Sequence, residues 1–180
     1  MPTQTLPDLR YVAYASLMAA LMAVGAYVAI PVGPVSIVLQ NLFVLLAGLL
    51  LGGRWGAASV GMYLLVGLAG LPVFSKGGAG PGHFAGPTGG YLLGYLPAVY
   101  VVGFIAQKGR TSPVRDVLAM VAGTVIVYAL GLAWLKILTG MSLGKTLAVG
   151  MLPFLPGDAI KIAAAVPIAR TVRSRIGPLT

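Results

Sequence analysis

The sequence predicts an all-α integral membrane protein of six transmembrane helices, and three observations carry that prediction. Of 180 residues, 58 % are hydrophobic and only 8 % are charged, against about 25 % charged in an ordinary soluble domain. Mean hydropathy is +0.96. Uncharged runs recur at 11–30, 35–51, 55–71, 88–106 and 117–135, followed by an apolar block at 147–172. Each is close to the roughly 20 residues that span a bilayer, with about 17 tolerated.

Taken in order, the run at 11–30 follows a short tail with Asp8 and Arg10 and is too long for a signal-peptide core, so it reads as an uncleaved first helix. The second and third runs are separated only by Gly52-Gly53-Arg54, room for a tight turn, and form a helical hairpin. The longest connection, 72–87, leads into the fourth run, and the fifth follows a basic loop containing Arg110 and Arg115 beside Asp116. In the last block Pro153 and Pro156 forbid one continuous helix, because proline lacks a backbone donor and clashes with the preceding turn. We read 143–152 as a short surface or re-entrant helix and 157–172 as the sixth span.

Charge orients the chain. With both termini cytoplasmic, Arg10, Arg54, Lys108, Arg110, Arg115, Arg170, Arg173 and Arg175 lie inside, against Lys76, Lys136 and Lys145 outside, and Lys161 falls within the last span. This satisfies the positive-inside rule and explains the net charge of +9 by orientation and lipid headgroups. No basic stretch interleaved with aromatics invites nucleic acid. Cysteine is absent, which removes disulfide and thiol chemistry. No nucleotide-binding motif occurs, so energy would come from a partner or a gradient. Residues 1–180 read as a single transmembrane substrate-binding domain.

Candidate site residues cluster in two places. Only three acidic residues exist, Asp8, Asp116 and Asp158. Asp158 is the one set within a long apolar block, with Lys161 three residues on along the same helical face. Either the two merely neutralise one another at a helix start, or they face a polar site. An unpaired charge within a span costs about 2.5–3.5 kcal/mol even on lenient scales, so the pair faces protein or water rather than lipid.

The second cluster is the glycine- and proline-rich loop carrying Phe74, Phe84, Thr88, Gly89, Gly90 and Tyr91, which the topology puts on the same outer face as Asp158. Its glycines permit close approach, and its end runs into a helix whose first amides are free to donate. The loop lacks the Gly-Lys-Ser/Thr ending of a phosphate cradle. His83 is the only histidine, too isolated for a metal site or a serine-protease triad. A carboxylate dyad fails as well, since Asp116 belongs to the opposite face. The readings point to recognition without catalysis, metal or cofactor.

Ala15, Ala19 and Ala23 repeat at four-residue spacing on the first helix, a flat ridge suited to close helix contact in lipid. Gly48, Gly52 and Gly56, and Gly86, Gly90 and Gly94, share that spacing.

Gly70-Leu71-Pro72-Val73-Phe74, the turn Gly86-Pro87-Thr88-Gly89-Gly90-Tyr91, and Pro153-Phe154-Leu155-Pro156-Gly157-Asp158-Ala159-Ile160-Lys161 recur in one order. Together they make the chain similar to the biotin-specific S component (BioY family) of energy-coupling factor (ECF) transporters, over nearly its whole length. The resemblance implies a six-helix, S-component-like fold in the plasma membrane of a prokaryote. It implies biotin capture from outside, and partnership with a transmembrane T component and two ABC-type ATPases. It assigns the T-component contact to Ala15 and Ala19, continued by Ala23. An asparagine expected near the loop is absent between Phe74 and Tyr91, leaving Ser75, His83 or Thr88 as its polar groups.

Biotin carries a ureido ring with two N–H donors and a carbonyl, an apolar thioether ring and a carboxylate. Asp158 would accept from the ureido N–H groups, and Lys161 would donate to the ureido carbonyl or to the carboxylate. Phe74, Phe84 and Tyr91 would pack on the bicyclic ring, with Gly89 and Gly90 allowing close approach. The alternatives are a solitary secondary transporter, an S component for another small vitamin, or a structural membrane subunit that binds no ligand.

Overall fold

The structure, a computed structural model, describes residues 9–32, 34–108 and 112–176. Asp8 and Arg110 lie outside the described residues, as does the side chain of Arg175. The elements in order are α1 (Leu9–Tyr27), β1 (Ala29–Val32), β2 (Val35–Val38), α2 (Gln40–Leu68), a 3-10 turn (Ser75–Gly77), α3 (Pro81–Ala85), α4 (Gly89–Ala106), α5 (Pro113–Thr139), α6 (Leu143–Gly150) and α7 (Leu155–Ile176). Among the described residues α1, α2, α4 and α5 are long and apolar enough to cross a membrane. α6 and α7, bent by 46°, add a fifth span if taken as one.

The first departure from expectation is at 28–38, assigned above to the ends of two spans. These residues form an antiparallel hairpin pairing Ala29 with Val38 and Val32 with Val35. The cause is local: Pro31 and Pro34 oppose a helix while Val28, Ile30, Val32, Val35, Ile37 and Val38 are β-branched. The fold is therefore helical with one short β-ribbon, and α1 stops at Tyr27.

The expected hairpin at Gly52 is present within α2. Gly52 sits at φ 76°, a left-handed region open to glycine, and interrupts the helix. A Cβ on Gly56 would meet the Ala47 carbonyl oxygen and Gly48 Cα, each at 3.2 Å. In a straight helix eight residues advance about 12 Å, so the two arms of α2 fold back on each other. α4 fits against both: Cβ atoms on Gly48 and Gly56 would each strike Val99, and one on Gly103 would overlap the backbone of Gly52 and Gly53. Small residues thus bring the helices into close contact, as lipid-embedded packing favours.

α5 starts at Pro113, where a missing N–H costs nothing, and stops at Gly140 in the left-handed conformation. The junction at 151–154 separates α6 from α7, as the prolines require, and α7 opens at Leu155.

Long-range bonds define two ends of the bundle. At one, the Tyr27 hydroxyl donates to the Pro72 carbonyl, Gly80 N–H donates to the Gly67 carbonyl at 2.8 Å, and Trp134 Nε1 donates to the Gly86 carbonyl at 2.9 Å. At the other, Tyr11 stacks on Trp55 with ring centres 5.3 Å apart, and Arg173 bridges to Leu49 and Asp116. α1, the second arm of α2 and α5 run toward the first end; the first arm of α2, α4 and α7 run away from it. Two apolar clusters fill the interior, one around Tyr63, Phe74 and Tyr95 and one around Leu45, Val102 and Met120.

Candidate ligand-binding site

At the first end a cavity opens between the β-ribbon, the first arm of α2, α4, α5 and the start of α7. It encloses about 740 Å³ of empty space when its open mouth is included. Valines, leucines, tyrosines and Phe154 make about half of its wall, and a compact polar cluster lies at one corner.

Asp158 is the centre of that cluster and is only 6 % exposed. Its Oδ1 accepts from Asn41 Nδ2 at 2.9 Å and from Lys161 Nζ at 3.1 Å. Its Oδ2 accepts a short hydrogen bond from the Tyr128 hydroxyl. Lys161 Nζ also donates to Asn41 Oδ1 at 2.9 Å and to the Val38 carbonyl at 2.8 Å. Every proton of the ammonium group is therefore placed within the chain. The carboxylate, with two lone-pair sites on each oxygen, keeps one on Oδ2 for a further donor. The i, i+3 spacing sets acid and base on one face of α7, as expected, but β2, α2 and α5 supply the rest of the cluster.

Tyr91 and Thr88 also line the cavity, together with Ser75 and His83 of the loop. The Tyr91 ring fills space left by Gly131, and its hydroxyl donates to the Gly150 carbonyl at 2.9 Å, tying α4 to α6. Thr88 Oγ1 lies 3.2 Å from His83 Nε2. Partial burial holds the His83 imidazole below its usual pKa, favouring the neutral ring at neutral pH.

Phe74 and Phe84 sit behind this wall. Phe74 is fully buried, with Tyr63 and Phe84 edge-on at 5.5 and 5.3 Å and His83 stacked at 5.0 Å. The two phenylalanines anchor the loop to α2 and are absent from the cavity lining. Gly89 and Gly90 likewise serve packing. A Cβ on Gly89 would overlap the Phe84 carbonyl, and one on Gly90 would overlap Trp134. The close approach that these glycines permit is to neighbouring protein.

The alanine ridge of α1 also turns inward. Ala15 is fully buried, and Ala19 and Ala23 pack on the core, since this face of α1 lies against α2. Ala15 thus has no surface of its own to offer, whereas Ala19 and Ala23 remain partly exposed. The outward face of α1 carries Ala13, Ser16, Leu17, Ala20 and Val24.

Sequence reading missed Gln40, Asn41, Tyr95 and Tyr128 as cavity residues. A signal existed for two of them. Asn41 is the chain's only asparagine, and Gln40-Asn41 places two amides at the head of an apolar run, an expensive arrangement without a polar partner. Tyr95 and Tyr128 have no comparable signal, because a tyrosine in a span suits an ordinary core position equally well.

The chain matches known proteins over nearly its full length. The BioY family pattern matches residues 1–178. The biotin transporter BioY of Thermotoga maritima is 39 % identical over 161 residues, covering 89 % of this chain and 94 % of that protein. The biotin transporter BioY of Rhodobacter capsulatus is 41 % identical over 177 residues, covering 91 % and 93 %. The 2.1 Å crystal structure of the S-component for biotin from an ECF-type ABC transporter superposes with a TM-score of 0.88 at 33 % identity, over 94 % of this chain and 93 % of that one. Common sequence and common fold agree: the chain belongs to the BioY family.

Proposed function

We propose that this chain is a biotin-binding S component that captures the vitamin from the extracellular side for an ECF-type importer. The observation that carries the reading is Asp158, an acceptor at the cavity corner with a lone pair to spare. Biotin's ureido ring offers N–H donors of matching chemistry. Asp158 accepts one of them, while Asn41, Tyr128 and Lys161 hold the carboxylate in place. Lys161 reaches the ligand only by releasing one of its three bonds, so its main part is to balance and orient Asp158. Tyr91 and Thr88 form the wall, and Phe74, Phe84, Gly89 and Gly90 support it. The names of the relatives and of the matched crystal structure support the choice of vitamin.

The test is biotin binding to the purified chain in detergent, with desthiobiotin and biotin methyl ester as comparators for ring and tail. Binding no tighter than millimolar would reject the reading in favour of a structural subunit. A chain that moves biotin in liposomes without partners would instead be a solitary transporter.

As one substrate-binding domain over 1–180, the chain would cross a prokaryotic plasma membrane six times, counting each arm of α2, with both termini cytoplasmic. The arginines with described side chains, Arg10, Arg54, Arg115, Arg170 and Arg173, lie toward the end away from the cavity, in support of that orientation. The absence of cysteine gives a clean assay. In intact cells a membrane-impermeant maleimide should label Lys76→Cys and spare Lys108→Cys; the reverse pattern would invert the topology.

A transmembrane T component and two ATPases would supply energy, the partner resting on α1 at Ala15, Ala19 and Ala23, where Ala19 and Ala23 stay partly exposed and Ser16 and Ala20 lie outward beside them. Ser16→Trp with Ala20→Trp should release the ATPase-bearing partner and preserve biotin binding. Unchanged assembly would exclude this face.

A further inference from the structure

Gln40 begins α2, is 1 % exposed and lines the cavity, yet its Nε2 has no hydrogen-bond partner. Buried amides are nearly always paired, and an unpaired one destabilises the chain that carries it. Among the described residues two other buried side-chain polar atoms lack partners, Arg115 Nε and Asp116 Oδ1, and both belong to the opposite end of the bundle. Gln40 is thus the one such group on the cavity wall. Its neighbour Asn41 is committed to Asp158 and Lys161. Gln40 lies beside the polar corner with an amide left to use.

We infer that Gln40 is a ligand-reading residue whose amide pairs with the N–H/C=O edge of a cyclic urea. The inference rests on the function proposed above and extends it to a second contact on the same ring. A cyclic urea presents one carbonyl flanked by two N–H groups. The free site on Asp158 Oδ2 accepts one N–H. The remaining edge has a donor beside an acceptor, the pattern that a carboxamide complements with its own acceptor and donor. A carboxylate tail, which only accepts, would leave half of the glutamine unused.

The experiment compares wild type, Gln40→Met and Gln40→Glu in detergent, against biotin, desthiobiotin and biotin methyl ester, with thermal unfolding of each ligand-free chain. Gln40→Met retains bulk and removes both polar atoms. It should weaken biotin about 10–100-fold, with a like loss for desthiobiotin and the methyl ester, both of which keep the urea. Its ligand-free Tm should equal or exceed wild type, because an unpaired buried amide has been removed. Gln40→Glu, which loses the N–H donor, should also bind more weakly.

A loss that disappears with the methyl ester would place Gln40 on the tail and overturn the inference. So would a lower Tm for Gln40→Met with unchanged affinity, which marks a purely structural residue, or wild-type affinity in Gln40→Glu. If wild type binds biotin and the variants match it, Gln40 alone is displaced. If wild type does not bind, the functional reading itself falls.

Discussion

Each end of α7 contributes to a carboxylate–cation pair, and only one pair borders the cavity. Asp158 and Lys161 lie on the cavity, three residues apart, with an amide and a phenol completing the cluster. Asp116 and Arg173 meet at 2.8 Å across 57 residues of sequence, where no cavity residue is involved. There the guanidinium also reaches the Leu49 carbonyl, at 3.1 Å from Nε and 2.6 Å from Nη2. That carbonyl is available because the break at Gly52 ends the first arm of α2 and leaves its last acceptors without intrahelical donors. The distal pair pins α2, α5 and α7 together. Similar ionic chemistry thus serves a site at one end and a fastening at the other. From residue 158 to 173 is about 22 Å along a helix, so the two carboxylates do not share a site, which removes an aspartyl dyad.

Breaking each pair should separate these roles. Asp158→Ala strands Lys161 and removes the acceptor, so binding should fall more than about a hundredfold while the fold loses about 3–5 kcal/mol. Asp116→Ala should incur a comparable stability loss of about 3–5 kcal/mol but leave biotin affinity within about threefold, since the change lies far from the cavity. Isothermal titration and thermal unfolding on the same samples would decide. Equal damage to binding by both substitutions would dissolve the distinction.

Replacing both partners sharpens it. Asp116→Leu with Arg173→Met should recover most of the stability lost by Asp116→Ala, because a buried ion pair can be exchanged for apolar packing at little cost. Asp158→Leu with Lys161→Met should recover the fold and leave binding lost. Restored binding in that second variant would place recognition elsewhere in the cavity.

Gly52→Ala should cost about 1–3 kcal/mol, as expected for a side chain held at φ 76°. The new methyl also overlaps the Gln107 side chain. Its damage belongs to the distal end, so a Tm loss with near-normal biotin affinity is expected.

The smallest effect concerns His83. Its folded pKa is lowered by burial, so the unfolded chain binds more protons as pH falls through about 6.5. Stability should therefore decline in that window and be unaffected above it. His83→Gln should flatten the Tm profile between neutral and mildly acidic pH, and an unchanged slope would assign the effect to other groups.

The helices were largely legible because bilayer burial depends on local apolar length, and proline, glycine and charge punctuate that pattern locally. Pro153 and Pro156 marked the break before α7, and Gly52-Gly53 marked the reversal in α2. The β-ribbon was less visible, since an apolar stretch with β-branched residues satisfies a hydropathy window as well as a helix does. In the site, the Asp158/Lys161 spacing was readable from helical periodicity. The contacts of Asn41 and Tyr128 with Asp158 were not, as they span 117 and 30 residues, even though the two amides of Gln40-Asn41 already called for a polar partner. Phe74 and Phe84 resembled ring-stacking residues until packing turned them into the loop's anchor.

By itself the sequence determined that this protein belongs in a membrane, the approximate place of its apolar helices, and that Asp158 and Lys161 share a helical face. Composition and periodicity act over one or two turns, so they can be read from a linear string. Tertiary structure decided which polar residues complete the corner, that Ala15 is buried against the rest of the bundle, and that Gln40 keeps an unpaired amide nitrogen on the cavity wall. Those outcomes depend on which surfaces meet after folding, a matter of contacts between segments far apart in the chain.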